Sequence, residues 1–173
     1  MKLKILFTII LFLFASLGSA DELRNAVDSR DRSEKNIARD EFRKPYETLS
    51  FFQLEPDMTI VELSPGGGWY TEILANFIRK SGNLIAAHFS KDSDRAYFRN
   101  SRINFEKKVK ENSLYEKVRV VDLNSKLSDP SSVDAVLTFR NLHNWLGPNM
   151  DKIFSNSYVA LKPGGLFLSL IHI

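Results

Sequence analysis

Apolar residues along this chain alternate between two periodicities. Thr59-Ile60-Val61 runs into Glu62 and Leu63 as a short β-branched stretch, and Tyr70, Ile73, Leu74 and Phe77 follow at helical spacing. Gly82-Asn83 is a stop signal, after which Leu84-Ile85-Ala86-Ala87-His88-Phe89 reads as a second buried strand. Ser93 to Glu116 is a strongly charged helical stretch with Ala96, Tyr97, Ile103, Phe105 and Val109 as its apolar points and a break expected near Asn100-Ser101. Val118–Asp122 and Val133–Phe139 read as the third and fourth strands, Met150–Leu161 as a helix, and Leu166–Ile171 as the fifth strand. Strands alternating with helices predict an α/β fold with a parallel sheet.

Upstream of the first strand the pattern differs. Asp21 to Lys44 carries dense charge of both signs around Leu23, Val27, Ile37, Ala38 and Phe42, which predicts one or two solvated helices with a narrow apolar stripe. Pro45 opens a further short helix whose Tyr46, Leu49 and Phe52 share a face before Pro56 ends it. Residues 21–57 are therefore expected to form a helical extension, and residues 58–173 the main domain.

Met1 to Ala20 reads as a signal peptide. Lys2 and Lys4 make a positive end, Ile5 to Leu17 is thirteen almost wholly apolar residues, and Gly18-Ser19-Ala20 offers small residues for cleavage. The run falls short of the about 20 residues a spanning helix takes. The expected localisation is exported, periplasmic or secreted, with an uncleaved inner-membrane anchor as the alternative and the membrane as a partner only in that case. The chain has no cysteine, so an exported domain would rely on its core alone. Without Lys2 and Lys4 the 24 basic side chains become 22, against 21 acidic ones, so the formal charge falls from +3 to +1. The isoelectric point of about 9.1 is then a marginal balance, and no nucleic-acid partner is expected.

Gly66, Gly67 and Gly68 lie between the first strand and its helix, where backbone can take positive φ and a ligand can approach the main chain. A triphosphate-gripping loop is excluded, because no Lys follows Gly68 before Lys80. A dinucleotide fingerprint is matched by Gly66 and Gly68, but Thr71 stands where a third small residue is wanted. The exit of the fourth strand, Arg140-Asn141-Leu142-His143-Asn144-Trp145, is the densest polar and aromatic cluster in the chain. In a parallel sheet it should face the same side as the glycines.

Glu62, Gly66 and Gly68 resemble the acidic, glycine-rich motif I of class I S-adenosylmethionine (SAM)-dependent methyltransferases, with Ser64 in place of the first glycine. Asp122-Leu123, Asp134-Ala135-Val136 and Leu161-Lys162-Pro163-Gly164-Gly165 match later parts of the same pattern in order. The resemblance spans residues 59–173. It implies a Rossmann-like doubly wound sheet, here truncated after strand five because the usual last two strands are missing, with the N-terminal helical extension as a lid. It also implies SAM as cofactor, held by Glu62, Ser64, Gly66, Gly67, Gly68, His88, Asp122, Leu123 and Asn141. His88 stands where the family commonly has a ribose-binding carboxylate, with Asp92 and Asp94 further on. Substrate chemistry on a small-molecule acceptor would fall to His143 as base and to Asn144, with no metal. Two other readings stay open at this point: an exported, non-catalytic binding module on the same fold, and an NAD(P)-dependent oxidoreductase.

Overall fold

In the computed structural model, which describes residues 18–171, β1 (Thr59–Leu63) is the middle strand of a five-stranded sheet. The others are β2 (Asn83–His88), β3 (Val118–Asp122), β4 (Val133–Phe139) and β5 (Leu161–Leu170). Their order is β3-β2-β1-β4-β5, and every pairing is parallel. Parallel neighbours need crossovers, which α5 (Trp69–Ile78), α6 (Ala96–Glu111) and α7 (Pro148–Ala160) supply. The doubly wound α/β architecture expected from the sequence is thus present.

Alternation along β1 sends side chains to two separate cores. Ile60 joins Leu84, Ala135 and Leu137 against α5, where Ile73, Leu74 and Ile78 are fully buried. Val61 and Leu63 join Ile85, Ala87 and Val136 on the opposite face, against Ile153 and Ala160 of α7. Each such aliphatic side chain contributes about 1.5–3 kcal/mol by burial.

The extension is four short helices: α1 (residues 18–27), α2 (Glu34–Ile37), α3 (Asp40–Arg43) and α4 (Pro45–Phe51). Its stripe lies on the α5 side of the sheet, with Leu23, Ala26, Val27, Leu49 and Phe52 buried there. Most of the expected signal peptide, residues 1–17, lies outside the described residues. Gly18, Ser19 and Ala20 fall within α1, and the Ser19 hydroxyl donates to the Leu54 carbonyl at 3.1 Å. Among the described residues no helix is long and apolar enough to cross a membrane.

Three helices form before Pro45 where one or two were expected, and three further expectations change. α6 runs unbroken through Asn100 and Ser101 and gives way to a separate 3-10 turn at Ser113–Tyr115, because tertiary anchoring of Arg102 and Phe105 overrides weak local propensity. Strand two begins and ends one residue earlier than expected. The turn at Lys162–Gly165 is absorbed into β5 as an irregularity, between the pairs Val133–Leu161 and Ala135–Leu166. Asp134 sits opposite it: one carboxylate oxygen accepts from Lys162 Nζ at 2.6 Å and the other from the Thr59 amide at 2.9 Å. Those bonds tie the start of β1 to the entry of β5.

Candidate functional site

The strand order reverses between β1 and β4, so a crevice opens beyond the carboxyl ends of those two strands. Ser64 leaves β1 in the left-handed region, at φ +54°, with its amide donating to the Ala87 carbonyl at 2.8 Å. That conformation costs a residue with a Cβ about 1 kcal/mol, which is why glycine suits the place that Ser64 holds. Gly66 and Gly68 are also left-handed, at +59° and +80°. They differ in surroundings: a Cβ on Gly66 or Gly67 would meet nothing within 4 Å, whereas one on Gly68 would meet Phe105 at 3.0 Å and Lys108 at 3.3 Å.

Beneath the loop lies a polar layer that fixes it. Glu62 is buried, and its carboxylate accepts from the Thr71 hydroxyl at 2.6 Å. Burial pushes the Glu62 carboxyl up to about 7, against the pull of that hydrogen bond and of Lys108. Lys108 Nζ, from α6, donates to the Gly67 carbonyl at 3.1 Å and pairs at 2.6 Å with Glu72, a fully buried carboxylate of α5. Glu72 also accepts from the amide and hydroxyl of Ser33, and Trp69 Nε1 donates to the Asn36 carbonyl at 2.7 Å. The extension is clamped to α5 by these bonds.

His88 is fully buried, with Nε2 3.1 Å from the Gly66 carbonyl and Nδ1 accepting the Phe89 amide at 2.8 Å. Those two bonds require the Nε2-protonated tautomer, and burial lowers the pKa of the ring. Both nitrogens serve the backbone, so His88 has none left to offer a ribose hydroxyl; it braces the loop from below. Arg102 braces the neighbouring strand ends, donating to the carbonyls of Phe89 and Val121 at 3.2 and 2.7 Å.

Besides a cavity of about 390 Å³ between Gly66, Gly67 and α6, two clefts adjoin this platform. The first, of about 640 Å³, is lined by Ser64, Gly66, Gly67 and Asn141 together with Lys35, Arg39, Arg43, Lys108 and Arg140. Asn141 Nδ2 donates to the carbonyls of Ser64 and Phe139 at 3.1 and 3.0 Å, bridging the point where strand order reverses. The Ser64 hydroxyl is buried here without a hydrogen-bond partner. The second cleft, of about 370 Å³, is lined by Phe89, Phe98, Leu123, Asn144, Trp145 and Ile153, with Asp92 and Asp94 at its rim. Leu123 is anchored by its amide, which donates to the His88 carbonyl at 2.7 Å, and Asp122 turns back to accept the Asn124 amide at 2.9 Å.

The structure therefore brings Ser64, Gly66, Gly67 and Asn141 together in one cleft and Leu123 with Asn144 in the other. Gly68 caps α5, Glu62 and His88 lie under the loop, and Asp122 closes β3. His143 is exposed on the 3-10 turn Leu142–Asn144, among the lining residues of neither cleft. Sequence reasoning missed Lys108, Arg39 and Arg43, which looked like solvated helix charge, whereas Arg140 belongs to the polar cluster read at the exit of the fourth strand. The adjacency of Asp92 and Asp94 to Leu123 was also not visible in linear order.

A family model described as a methyltransferase domain matches residues 61–169, nearly all of the sheet, the whole of the second cleft and the part of the first that lies outside the N-terminal extension. The chain belongs to the methyltransferase-domain family. The resemblance read from motif I and the later strands is borne out. Solved structures agree in fold. A SAM-dependent methyltransferase from Aquifex aeolicus is 19% identical, with a TM-score of 0.60, over 83% of this chain and 68% of its own. The glycopeptide N-methyltransferase MtfA, solved with S-adenosyl-L-methionine, is 18% identical, with a TM-score of 0.53, over 70% and 48%. The [4+2]-cyclase SpnF is 15% identical, with a TM-score of 0.53, over 82% and 48%. This methyltransferase-family chain thus spans from about half to two thirds of the length of these relatives. No curated protein matches its sequence.

Proposed function

We propose that the protein is a SAM-dependent methyltransferase acting on a small-molecule acceptor, with the cofactor lying across both clefts. The observation that carries this reading is the site at the strand reversal: an open Gly66-Gly67 turn beside the unpartnered buried hydroxyl of Ser64, framed by Asn141. Residues present fit the cofactor. Ser64, Gly66, Gly67 and Asn141 would hold its amino-acid end, and Phe89, Leu123 and Trp145 would face its adenine. Asp92 and Asp94 offer the carboxylates that His88 does not, and their place at the rim suits ribose hydroxyls.

SAM held there would supply a methyl group activated by its sulfonium, for in-line transfer to the acceptor with the thioether as leaving group. The chain's own part is then to orient an acceptor and exclude water. The extension contributes Ser33, Lys35, Asn36, Arg39 and Arg43 to the wall of the first cleft, which supports its role as a lid. His143, which lines neither cleft, would serve as the base for the acceptor only if the turn that carries it and Asn144 closes over the site.

Calorimetric titration of the chain with SAM and S-adenosylhomocysteine tests the proposal, with NADH as control. Saturable binding of both adenosyl ligands and none of NADH is expected; binding of NADH alone, or of none by folded protein, would overturn it. We also propose export, on the strength of Lys2, Lys4 and the apolar run to Leu17. Amino-terminal sequencing of protein recovered outside the cytoplasm checks that, with Asp21 as the expected first residue and an intact Met1 in a soluble cytoplasmic fraction as the contrary result.

A further inference from the structure

The first cleft continues into a smaller cavity of about 250 Å³, and the two share Arg39, Arg43 and Arg140 as their common border. Past the arginines the smaller cavity has apolar walls, Phe42, Tyr70 and Leu170, and contains no residue of the glycine turn. Tyr70 is stacked on Phe139 with ring centroids 3.5 Å apart, and Arg43 lies over the Trp69 ring at 4.8 Å, so both lining side chains are packed against aromatic neighbours behind the cavity wall. Phe42 is 74% exposed, an apolar side chain held at the mouth of the cavity.

Three guanidinium groups meeting at one border repel each other, and among the described residues none of the three forms an ion pair with a carboxylate. The strain shows at Arg43, whose pKa is lowered by burial and by the charges of Arg39 and Arg140. Arg140 is held there by its backbone: at φ +63° its amide donates to the Leu170 carbonyl, across the β4–β5 edge. A planar anion at this border would relieve the repulsion and accept forked hydrogen bonds.

We propose that Arg39, Arg43 and Arg140 form a subsite for the carboxylate of the methyl acceptor, whose apolar body lies against Phe42, Tyr70 and Leu170. The acceptor class is thus a small aryl or alkyl carboxylate. This rests on the SAM reading for its neighbour, the methyl donor, but not for its own binding.

The competing source of the same chemistry is the carboxylate of the cofactor itself, and one set of titrations separates the two. Phenylacetate, phenylacetamide, S-adenosylhomocysteine and 5′-methylthioadenosine, which lacks the amino-acid carboxylate, are each titrated into the wild-type chain and into R39Q/R140Q. Both substituted side chains are exposed, so the fold is not at risk; a thermal melt confirms it. The expected result is that phenylacetate binds the wild type and loses about tenfold or more in the variant, that Arg140→Lys with Arg39 intact recovers part of the loss, and that both adenosyl ligands change by less than about threefold. A loss confined to S-adenosylhomocysteine, with methylthioadenosine unchanged, would give the arginines to the cofactor and overturn the proposal. So would equal binding of phenylacetate and phenylacetamide, or no phenylacetate binding by the wild type. Absence of adenosyl binding with phenylacetate binding intact would instead remove the cofactor reading and leave the subsite standing.

Discussion

The two clefts at the carboxyl ends of the strands are built from opposite materials. The one at the β1–β4 reversal is cationic, with Lys35, Arg39, Arg43, Lys108 and Arg140 around main-chain and amide groups, and no carboxylate among its described lining residues. The one at the β2 and β3 ends is aromatic and acidic, with Phe89, Phe98 and Trp145 under Asp92 and Asp94. A ligand that spans both must carry an anionic or polar end and a flat, hydroxyl-bearing end. That polarity matches an adenosyl amino acid and fixes its direction, because flat rings gain from stacking in the second cleft while the amino-acid end gains from the polar groups of Ser64, Gly66, Gly67 and Asn141, which leaves the arginines to the acceptor. On the proposed reading, the cofactor's direction is then set by Leu123, Trp145, Asp92 and Asp94 at one end and by the turn with Ser64 and Asn141 at the other.

The sharpest way to break this comparison is at its hinge. Gly67 is exposed, and a Cβ there meets nothing within 4 Å, so Gly67→Leu should leave the melting temperature within about 2 °C of wild type. A ligand lying on the turn would collide with it, and affinity for S-adenosylhomocysteine should fall by about 100-fold, near 3 kcal/mol, in calorimetry. Unchanged affinity would separate the turn from the ligand.

Lys108→Met comes next, because it strips the charge from a buried partner. Glu72 is 2% exposed in its side chain and Lys108 29%, so the loss should be about 2–3 kcal/mol in urea unfolding, below the full cost of breaking a wholly buried pair. A change under about 0.5 kcal/mol would show that the pair does not hold the cationic cleft to α5.

The acid layer under the turn gives a pH signature. Glu62 is raised to about 7 in the fold, so the folded state holds a proton that the unfolded chain releases between about pH 4.5 and 7, and stability falls as pH rises through that window. A shift of that size corresponds to about 3 kcal/mol. His88 works in the other direction, since its lowered pKa makes stability fall as pH drops below about 6.5. Glu62→Gln isolates the first effect: the difference in unfolding free energy between the variant and wild type should grow in the variant's favour from pH 5 to pH 8. A constant difference would contradict the burial of an ionisable carboxyl beside Thr71.

Smaller effects are expected at the second cleft and its margin. Asp94→Asn should weaken S-adenosylhomocysteine by about tenfold or less, as the loss of a charged hydrogen-bond partner at a rim. His143→Ala should leave that affinity within about twofold, because the residue lines neither cleft. A large loss of cofactor binding in this variant would mean that the turn at Leu142–Asn144 closes over the ligand.

Much of this was legible in the sequence, for identifiable reasons. β1, the glycine turn and α5 could be read because a β-branched run, three glycines and an i, i+3, i+4 pattern each leave a distinct local mark. A family motif placed Leu123, and the polar cluster after the fourth strand placed Asn141, at strand ends, and a parallel sheet brings strand ends together whatever lies between them. What stayed hidden depended on distance. Lys108 sits in a helix of mixed charge, and nothing local distinguishes it from Lys107 or Lys110, which point elsewhere. The continuity of α6 through Asn100-Ser101 depends on Arg102 reaching the carbonyls of Phe89 and Val121, a contact made across the fold. The role of His88 was equally invisible, since a strand-end histidine becomes a brace only when the Gly66 carbonyl folds over it.

A crystal of the chain soaked with S-adenosylhomocysteine tests the orientation most directly. The account requires the adenine ring in contact with Leu123 and Trp145, and the amino-acid end beside Ser64, Gly66 and Asn141. Density in the reverse direction, or clefts holding only solvent at a concentration that saturates the protein in solution, would contradict it.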